Sequence, residues 1–315
     1  MPFQKTKYIW MNGKLVDWDD ATIHVLSHVV HYGSSVFEGM RTYVTPQGTV
    51  CFRLGDHSKR LVDSAKIYRM EIPFSAAEID QAILDLIGAN EIESCYVRPV
   101  AYRGYESLGV DPSPCPVDLA IAVWPWGAYL GADALEKGVS VCFSSWARMA
   151  PNTMPAGSKC GANYMNSQLI KLEAMRHGYA EGLALDTFGF VSEGSAQNFF
   201  LIRDGKIYTP PLTAAILPGI TRDSIIRIAR DKGFEIEETN ITREQCYTAD
   251  ETFFTGSAVE LTPISRIDQI TIGDGTAGPI TRELQKAYFD LLEGRAEDKY
   301  GWLTLVPEYQ GAPAK

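Results

Sequence analysis

The sequence predicts an α+β fold, and three observations carry that expectation. Strand-like and helix-like stretches are interspersed along the chain without a regular βαβ rhythm. Several stretches place apolar residues at helical spacing behind a polar start. A short turn, Asn12-Gly13, joins two β-like runs. At 315 residues with 45% hydrophobic side chains, the chain is long enough for two domains of ordinary size. We expect residues 1–128 to form a smaller N-terminal domain, 129–138 an interdomain loop, and 139–315 a larger C-terminal domain.

Each element has its own signal. Tyr8 to Trp10 and Lys14 to Val16 flank the Asn12-Gly13 turn as a hairpin. Asp56 is expected to cap a helix ending near Arg69, because Leu61, Ala65 and Tyr68 recur on one face. Ser75 with Glu78 three residues later is a capping-box pattern, and Ile79, Ala82, Ile83, Leu86 and Ile87 make an apolar face behind it. Residues 94–102 read as a strand. Residues 124–138 are rich in aromatics, Gly and Pro, which suits an ordered connection. Beyond it we expect a strand at 139–145, a helix at 164–177 closed by Gly178, and strands at 182–186, 198–203 and 206–208. A helix at 221–232 closed by Gly233, a strand at 251–255 and a helix at 279–292 follow.

A formal net charge of −10 without any basic run argues against nucleic-acid or anionic-membrane partners. The N-terminus lacks an apolar core of signal-peptide length and no stretch approaches the roughly 20 apolar residues of a membrane span, so a cytoplasmic protein is expected. Cys51, Cys95, Cys115, Cys142, Cys160 and Cys246 are scattered without a CxxC pair, which suggests neither a metal site nor a disulfide framework. Small buried hydrophobes in a reducing compartment is the reading for five of them; Cys160 stands apart because it adjoins Lys159.

Lys159 lies among small residues in Gly157-Ser158-Lys159-Cys160-Gly161, just before a helical stretch. A lysine so placed can be a Schiff-base nucleophile, although a solvated surface charge is the commoner use. Pro218-Gly219-Ile220-Thr221-Arg222 precedes a helix, and Thr221 at its cap would leave N–H groups facing a phosphate; an ordinary capped helix has the same pattern. Thr255-Gly256-Ser257-Ala258 is a second small-residue turn with a hydroxyl, and Arg60 could supply a guanidinium to the same anion. A pyridoxal 5'-phosphate (PLP) site needs a lysine, a carboxylate opposite the pyridine nitrogen, a phenol near the ring oxygen and a helix N-terminus. Lys159, Glu193, Tyr164 and the 219–221 turn are candidates for those parts.

The ordered set of motifs is specific. It comprises His31-Tyr32-Gly33 with Val36-Phe37-Glu38-Gly39-Met40-Arg41, Tyr96-Val97-Arg98-Pro99, Ala150-Pro151-Asn152-Thr153, Glu193-Gly194-Ser195 with Asn198, and Leu217-Pro218-Gly219-Ile220-Thr221-Arg222. In this order they resemble the class IV, fold-type-IV PLP aminotransferases, and within them the branched-chain amino acid aminotransferases. The resemblance runs from Tyr8 to Leu303.

The resemblance implies that Lys159 is the Schiff base and proton shuttle, that Glu193 pairs with the pyridine nitrogen, and that Tyr164 pairs with the ring oxygen. It implies that Arg60, Ile220, Thr221 and Ser257 hold the phosphate, with Leu217, Gly219 and Gly256 beside them. Tyr32, Phe37, Val110, Tyr129 and Met149 would line an apolar substrate pocket, and Gly39 would keep one wall open. Tyr96, Arg98 and the backbone of Ser257 and Ala258 would receive carboxylates. Arg98, partly shielded, would serve both an aliphatic side chain and that of glutamate. Ser257 departs from the threonine of many relatives, and Arg103 and Glu106 add charge to the 102–110 loop.

The implied activity is transamination of L-leucine, L-isoleucine and L-valine with 2-oxoglutarate by ping-pong kinetics. The active site would lie between two domains and be completed across a homodimer, with assembly into a hexamer left open. D-amino acid transamination and aminodeoxychorismate lyase chemistry are alternatives on the same fold, and a non-catalytic binding protein is a third.

Overall fold

The computed structural model describes residues 4–127, 130 and 133–308. The chain is mixed α and β and divides into two compact units. One comprises Met1–Gly127, Ser158–Ala162 and Leu291–Lys315; the other comprises Ala128–Gly157 and Asn163–Asp290. The units are thus not contiguous in sequence, unlike the division at 129–138. Strand pairing explains why two later segments return to the first unit. Cys160 bridges Val36, and Leu303–Leu305 pairs antiparallel with Gly48–Phe52.

The first unit is built on an eight-stranded sheet. Its order is Leu303–Leu305, Gly48–Phe52, Met40–Thr45, Cys95–Arg103, Val117–Pro125, Tyr8–Met11 and Lys14–Asp17, with Ser35–Phe37 also paired to Cys95–Arg103. The expected hairpin is present, and its two turn residues are both left-handed (Asn12 φ 46°, Gly13 φ 91°), as a tight turn matching strand twist requires. Ala76–Ala89 starts at a complete Ser75–Glu78 capping box and buries Ile79, Ile83, Leu86 and Ile87. Each such aliphatic side chain contributes about 1.5–3 kcal/mol on burial.

Asp56 does not cap the other helix, Leu54–Ile67. Its N-cap is Arg53, which is left-handed (φ 52°) and offers no side-chain cap. Arg53 adopts that turn because it is pinned from outside the helix. Its N–H donates to the Trp302 carbonyl at 2.6 Å and its guanidinium lies 4.9 Å from the Trp302 ring centroid, while Asp56 accepts its Nε at 2.6 Å.

The second unit's nine-stranded sheet curls into a ring. Around it run Val191–Gly194, Glu181–Leu185, Val139–Phe143, Glu260–Ile267, Glu251–Gly256 and Asn198–Arg203, and the last pairs back to the first through Glu193 and Asn198. Lys206–Thr209 and Ile236–Glu238 extend the sheet beyond Asn198–Arg203. Val141, Leu183, Val191, Phe199, Phe254 and Ile264 belong to the unit's apolar core. Tyr164–Arg176 and Ile220–Asp231 are its longer helices, apart from Pro279–Leu292. Of the 124–138 stretch, Trp124 and Pro125 complete the Val117–Pro125 strand and Ala134–Lys137 is a short helix. Among the described residues no helix is long and apolar enough to cross a membrane, and all six cysteines are buried and free.

Candidate active site

In the first unit, Lys159 sits on a segment anchored by its own backbone. Its N–H donates to Ser64 Oγ at 3.1 Å, its carbonyl accepts the Phe37 N–H at 3.0 Å, and the Ser158 hydroxyl donates to the Ser64 carbonyl at 3.3 Å. Gly161 leaves room for this approach, since a Cβ there would stand 2.3 Å from Ser35 Oγ. The half-buried side chain places Nζ 5.0 Å from the Phe37 ring centroid. A fixed backbone with a flexible four-carbon arm suits an amine that must form and release a bond at one spot.

Arg98 lies over the same ring. Its guanidinium carbon is 4.6 Å from the Phe37 centroid and 5.3 Å from that of Tyr96, and its buried Nε has no hydrogen-bond partner among the described residues. Tyr96 is packed beside Trp124 and Trp126, with centroids 5.4 and 4.8 Å away. Gly39 is required by Tyr96, because a Cβ there would fall 1.9 Å from its hydroxyl. Phe37, Gly39, Tyr96 and Arg98 therefore come together with Lys159. Tyr32 is at the end of the His28–Tyr32 helix, stacked 4.5 Å from His28 and 46% exposed, and Val110 is 90% exposed. Tyr129 lies outside the described residues.

Arg60 is held by a buried carboxylate. Its Nε donates to Glu38 Oε1 at 2.6 Å and its second Nη to Oε2 at 2.9 Å, while His57 Nδ1 donates to Oε2 at 2.7 Å. Burial alone would raise the Glu38 carboxyl, but Arg60 and His57 bring it well below the usual carboxylate range. Burial lowers His57 from its ordinary value; Glu38 opposes this, and the charges of Arg60 and Lys159 add to it. Glu38 is thus ionised and His57 neutral at neutral pH, consistent with Nδ1 as the donor.

In the second unit, Glu193 is buried with both oxygens engaged. Oε1 accepts from Arg148 at 2.8 Å, and Oε2 accepts from Asn198 Nδ2 and the Leu217 N–H, each at 3.1 Å. Arg148 is itself buried and donates its other Nη to Asn166 at 2.9 Å, two residues past Tyr164 on the helix Tyr164–Arg176. A carboxylate so surrounded stays charged, which is what partnering a protonated pyridine nitrogen requires.

Thr221 is not the cap of Ile220–Asp231. The N-cap is Gly219, without a side-chain cap, so Ile220 and Thr221 occupy the first turn, whose N–H groups face out of the helix end. Glycine is needed because a Cβ at 219 would lie 1.9 Å from Asn198 Oδ1. Ser257 and Ala258 lie in the turn that follows Gly256 at the end of its strand. Met149 follows Arg148 and is half-buried, as is Tyr164 at the first position of its helix.

Sequence reasoning assigned no role to Glu38, His57, Ser64 or Arg148. His57, Arg60 and Ser64 follow one another at spacings of three and four, a polar stripe on one helical face that would have flagged them. Arg148 lies outside any periodic element, so no such signal marks it. The donor set has the chemistry PLP requires. It includes an anchored amine, a charged carboxylate in a cage of donors, a phenol at a helix start, a guanidinium, and a helix N-terminus free of a side-chain cap.

Residues 35–267 match the family described as amino-transferase class IV. The branched-chain-amino-acid aminotransferase of Escherichia coli strain K12 is 49% identical over 307 residues, which is 97% of this chain and 99% of that protein. That of Pseudomonas aeruginosa is 49% identical over 298 residues, covering 95% and 97%. The crystal structure of the E. coli branched-chain amino acid aminotransferase matches with a TM-score of 0.95 at 49% identity, over 96% of this chain and 100% of that one. A T.th. branched-chain amino acid aminotransferase with pyridoxamine 5'-phosphate gives 0.93 at 49%, over 96% and 99%.

Proposed function

The chain belongs to the class IV aminotransferase family, and from that membership we propose that it transfers the amino group of L-leucine, L-isoleucine and L-valine to 2-oxoglutarate by a ping-pong sequence. PLP is the cofactor, as throughout the family. The observation that carries the substrate reading is Arg98 lying over Phe37 and Tyr96. Those rings offer an aliphatic side chain an apolar surface, and the guanidinium at their edge offers a carboxylate a partner. One site then serves both halves of the reaction.

When bound, PLP supplies the carbon that carries the amino group from one half-reaction to the other and a ring that accepts electrons from the breaking Cα–H bond. Lys159 would take the α-proton and return it at the cofactor carbon C4′, reached by one flexible arm from an immobile backbone. Glu193, paired with Arg148, would hold the proton on the pyridine nitrogen. Tyr164 would donate to the ring oxygen. Arg60, the first turn of Ile220–Asp231 and Ser257 take the phosphate. Tyr96 and Arg98 orient the substrate carboxylates; Tyr32, Val110, Tyr129 and Met149 are read as the remaining apolar lining.

The working unit we propose is a homodimer in the cytoplasm; Val110, read as pocket lining, is 90% exposed in the single chain, and a neighbouring subunit that covers it fits that reading. Equilibrium sedimentation at the mass of one chain would remove that part. The test of function is the visible spectrum of the holoenzyme before and after addition of L-leucine and, separately, D-alanine. Conversion to the amine form by L-leucine alone is expected. Response to D-alanine alone would move the chain to the D-specific branch, and intersecting instead of parallel initial-rate lines would remove the ping-pong sequence.

A further inference from the structure

We propose that Glu38 is a positioning residue for anion binding: with His57 it fixes the guanidinium of Arg60 in the orientation that receives the cofactor's phosphate. The inference rests on the reading of Arg60 given above and assigns its support.

Glu38 is fully buried, and four donors converge on its two oxygens: Arg60 Nε and one Arg60 Nη, His57 Nδ1, and the N–H of Gly39 at 3.2 Å. A carboxylate taken out of water in this way is tolerated only with such pairing, and a whole buried ion pair can often be exchanged for apolar groups without loss of stability. Its presence is therefore better explained by what it orients. Two parallel contacts to one carboxylate fix the plane of a guanidinium as well as its position. A third contact, from His57, fixes the carboxylate in turn, and the Glu38 N–H donates to the Pro99 carbonyl at 2.9 Å.

The same frame holds Lys159. His57, Arg60 and Ser64 lie on one face of Leu54–Ile67, and Ser64 Oγ receives the Lys159 N–H. Phe37, the residue before Glu38, donates its N–H to the Lys159 carbonyl. One helix face and one strand end thus set the lysine and the arginine relative to each other. A guanidinium ordered before its guest arrives need not be ordered by it, so binding gains affinity without a new contact.

The test compares PLP with pyridoxal, which has the same ring and aldehyde but no phosphate, as each binds the full chain stripped of cofactor. Binding is followed by absorbance, with inorganic phosphate as a competitor. Glu38→Gln is expected to raise the dissociation constant of PLP about tenfold, to weaken competition by phosphate similarly, and to change that of pyridoxal less than about twofold. In an Arg60→Ala background the same substitution is expected to have no further effect on PLP.

Equal weakening of PLP and pyridoxal, or an undiminished effect in the Arg60→Ala background, would make Glu38 structural and overturn the proposal. An Arg60→Ala variant that binds PLP normally would overturn it for a different reason, by removing the phosphate role of Arg60 itself. If Glu38→Gln does not fold, Glu38→Asp keeps the charge while shortening the reach. It is expected to lose PLP selectively over pyridoxal, and normal PLP binding in a folded Glu38→Asp variant overturns the proposal.

Discussion

Replacing Gly219 by alanine is expected to destabilise the second unit by about 3 kcal/mol through a residue distant in sequence. The backbone at 219 is ordinary (φ −65°, ψ 132°), so alanine adopts it without strain. As an N-cap, alanine is worse than glycine by about 0.5–1 kcal/mol. The larger effect is steric. The new Cβ would lie 1.9 Å from Asn198 Oδ1, and an ordinary contact needs about 3.5 Å, so the carboxamide must retreat by about 1.5 Å. Asn198 Nδ2 then loses its bonds to Glu193 Oε2 and to the Leu217 carbonyl, now 3.1 and 2.9 Å. A bond to a charged acceptor is worth about 1.5–3 kcal/mol and one to a carbonyl about 0.5–1.5. Urea unfolding of the cofactor-free chain, with and without Asn198→Ala, is the assay. Gly219→Ala should cost only the cap difference once Asn198 is shortened. A cost under about 1 kcal/mol in the parent chain, or the same cost in both backgrounds, would refute the steric account.

Arg148→Met removes the buried cation that pairs with Glu193, and breaking a buried pair in this way should cost about 3–5 kcal/mol of stability; a thermal midpoint unchanged from the parent would contradict this. Stability should fall with acid in two stages. His57 has a lowered value when folded, so its contribution is full above about pH 6.5 and is lost as pH falls below that. Glu38, also lowered, adds a loss beginning near pH 4.5. In His57→Gln the decline between pH 6.5 and 5 in denaturant titrations should flatten by up to about 1.4 kcal/mol per pH unit, and an identical profile would argue against a neutral folded His57. Arg98→Lys should impair the 2-oxoglutarate half-reaction at least tenfold more than the L-leucine half-reaction, read by single-turnover spectra, because an ammonium cannot make the bidentate contact. Lys159→Ala should abolish turnover yet still bind PLP through the phosphate groups; measurable turnover would remove its role as the base.

Legibility followed the local character of the signal. Ala76–Ala89 is plain in the sequence because its cap and its apolar face are both local. The start of Leu54–Ile67 is hidden, because the conformation of Arg53 depends on Trp302, far along the chain. Glu260–Ile267 is obscured by Pro263 within it, a residue that argues against an interior strand. Lys159 and Arg60 are candidates by residue type and setting, and Glu193 and Phe37 stand in the ordered motifs, so their candidacy needed no structure. Glu38 stands in the same motif, but its role depends on two donors from a helix that sequence order alone does not bring to it. The unit boundaries are obscured for a similar reason. Ser158–Ala162 belongs with the first unit through pairing to Val36, which no composition shift announces.

The ring in the second unit closes where Glu193 meets Asn198. Were that pair to part, the strand Val191–Gly194 would keep one neighbour and present its other side as an open edge, a template for chain-to-chain aggregation. Solubility and chemistry are thus joined at one residue pair. Variants at Glu193 or Asn198 chosen to alter reactivity belong first on a gel of soluble and insoluble fractions, because a parted pair would remove activity by aggregation whatever the side chain does in the chemistry.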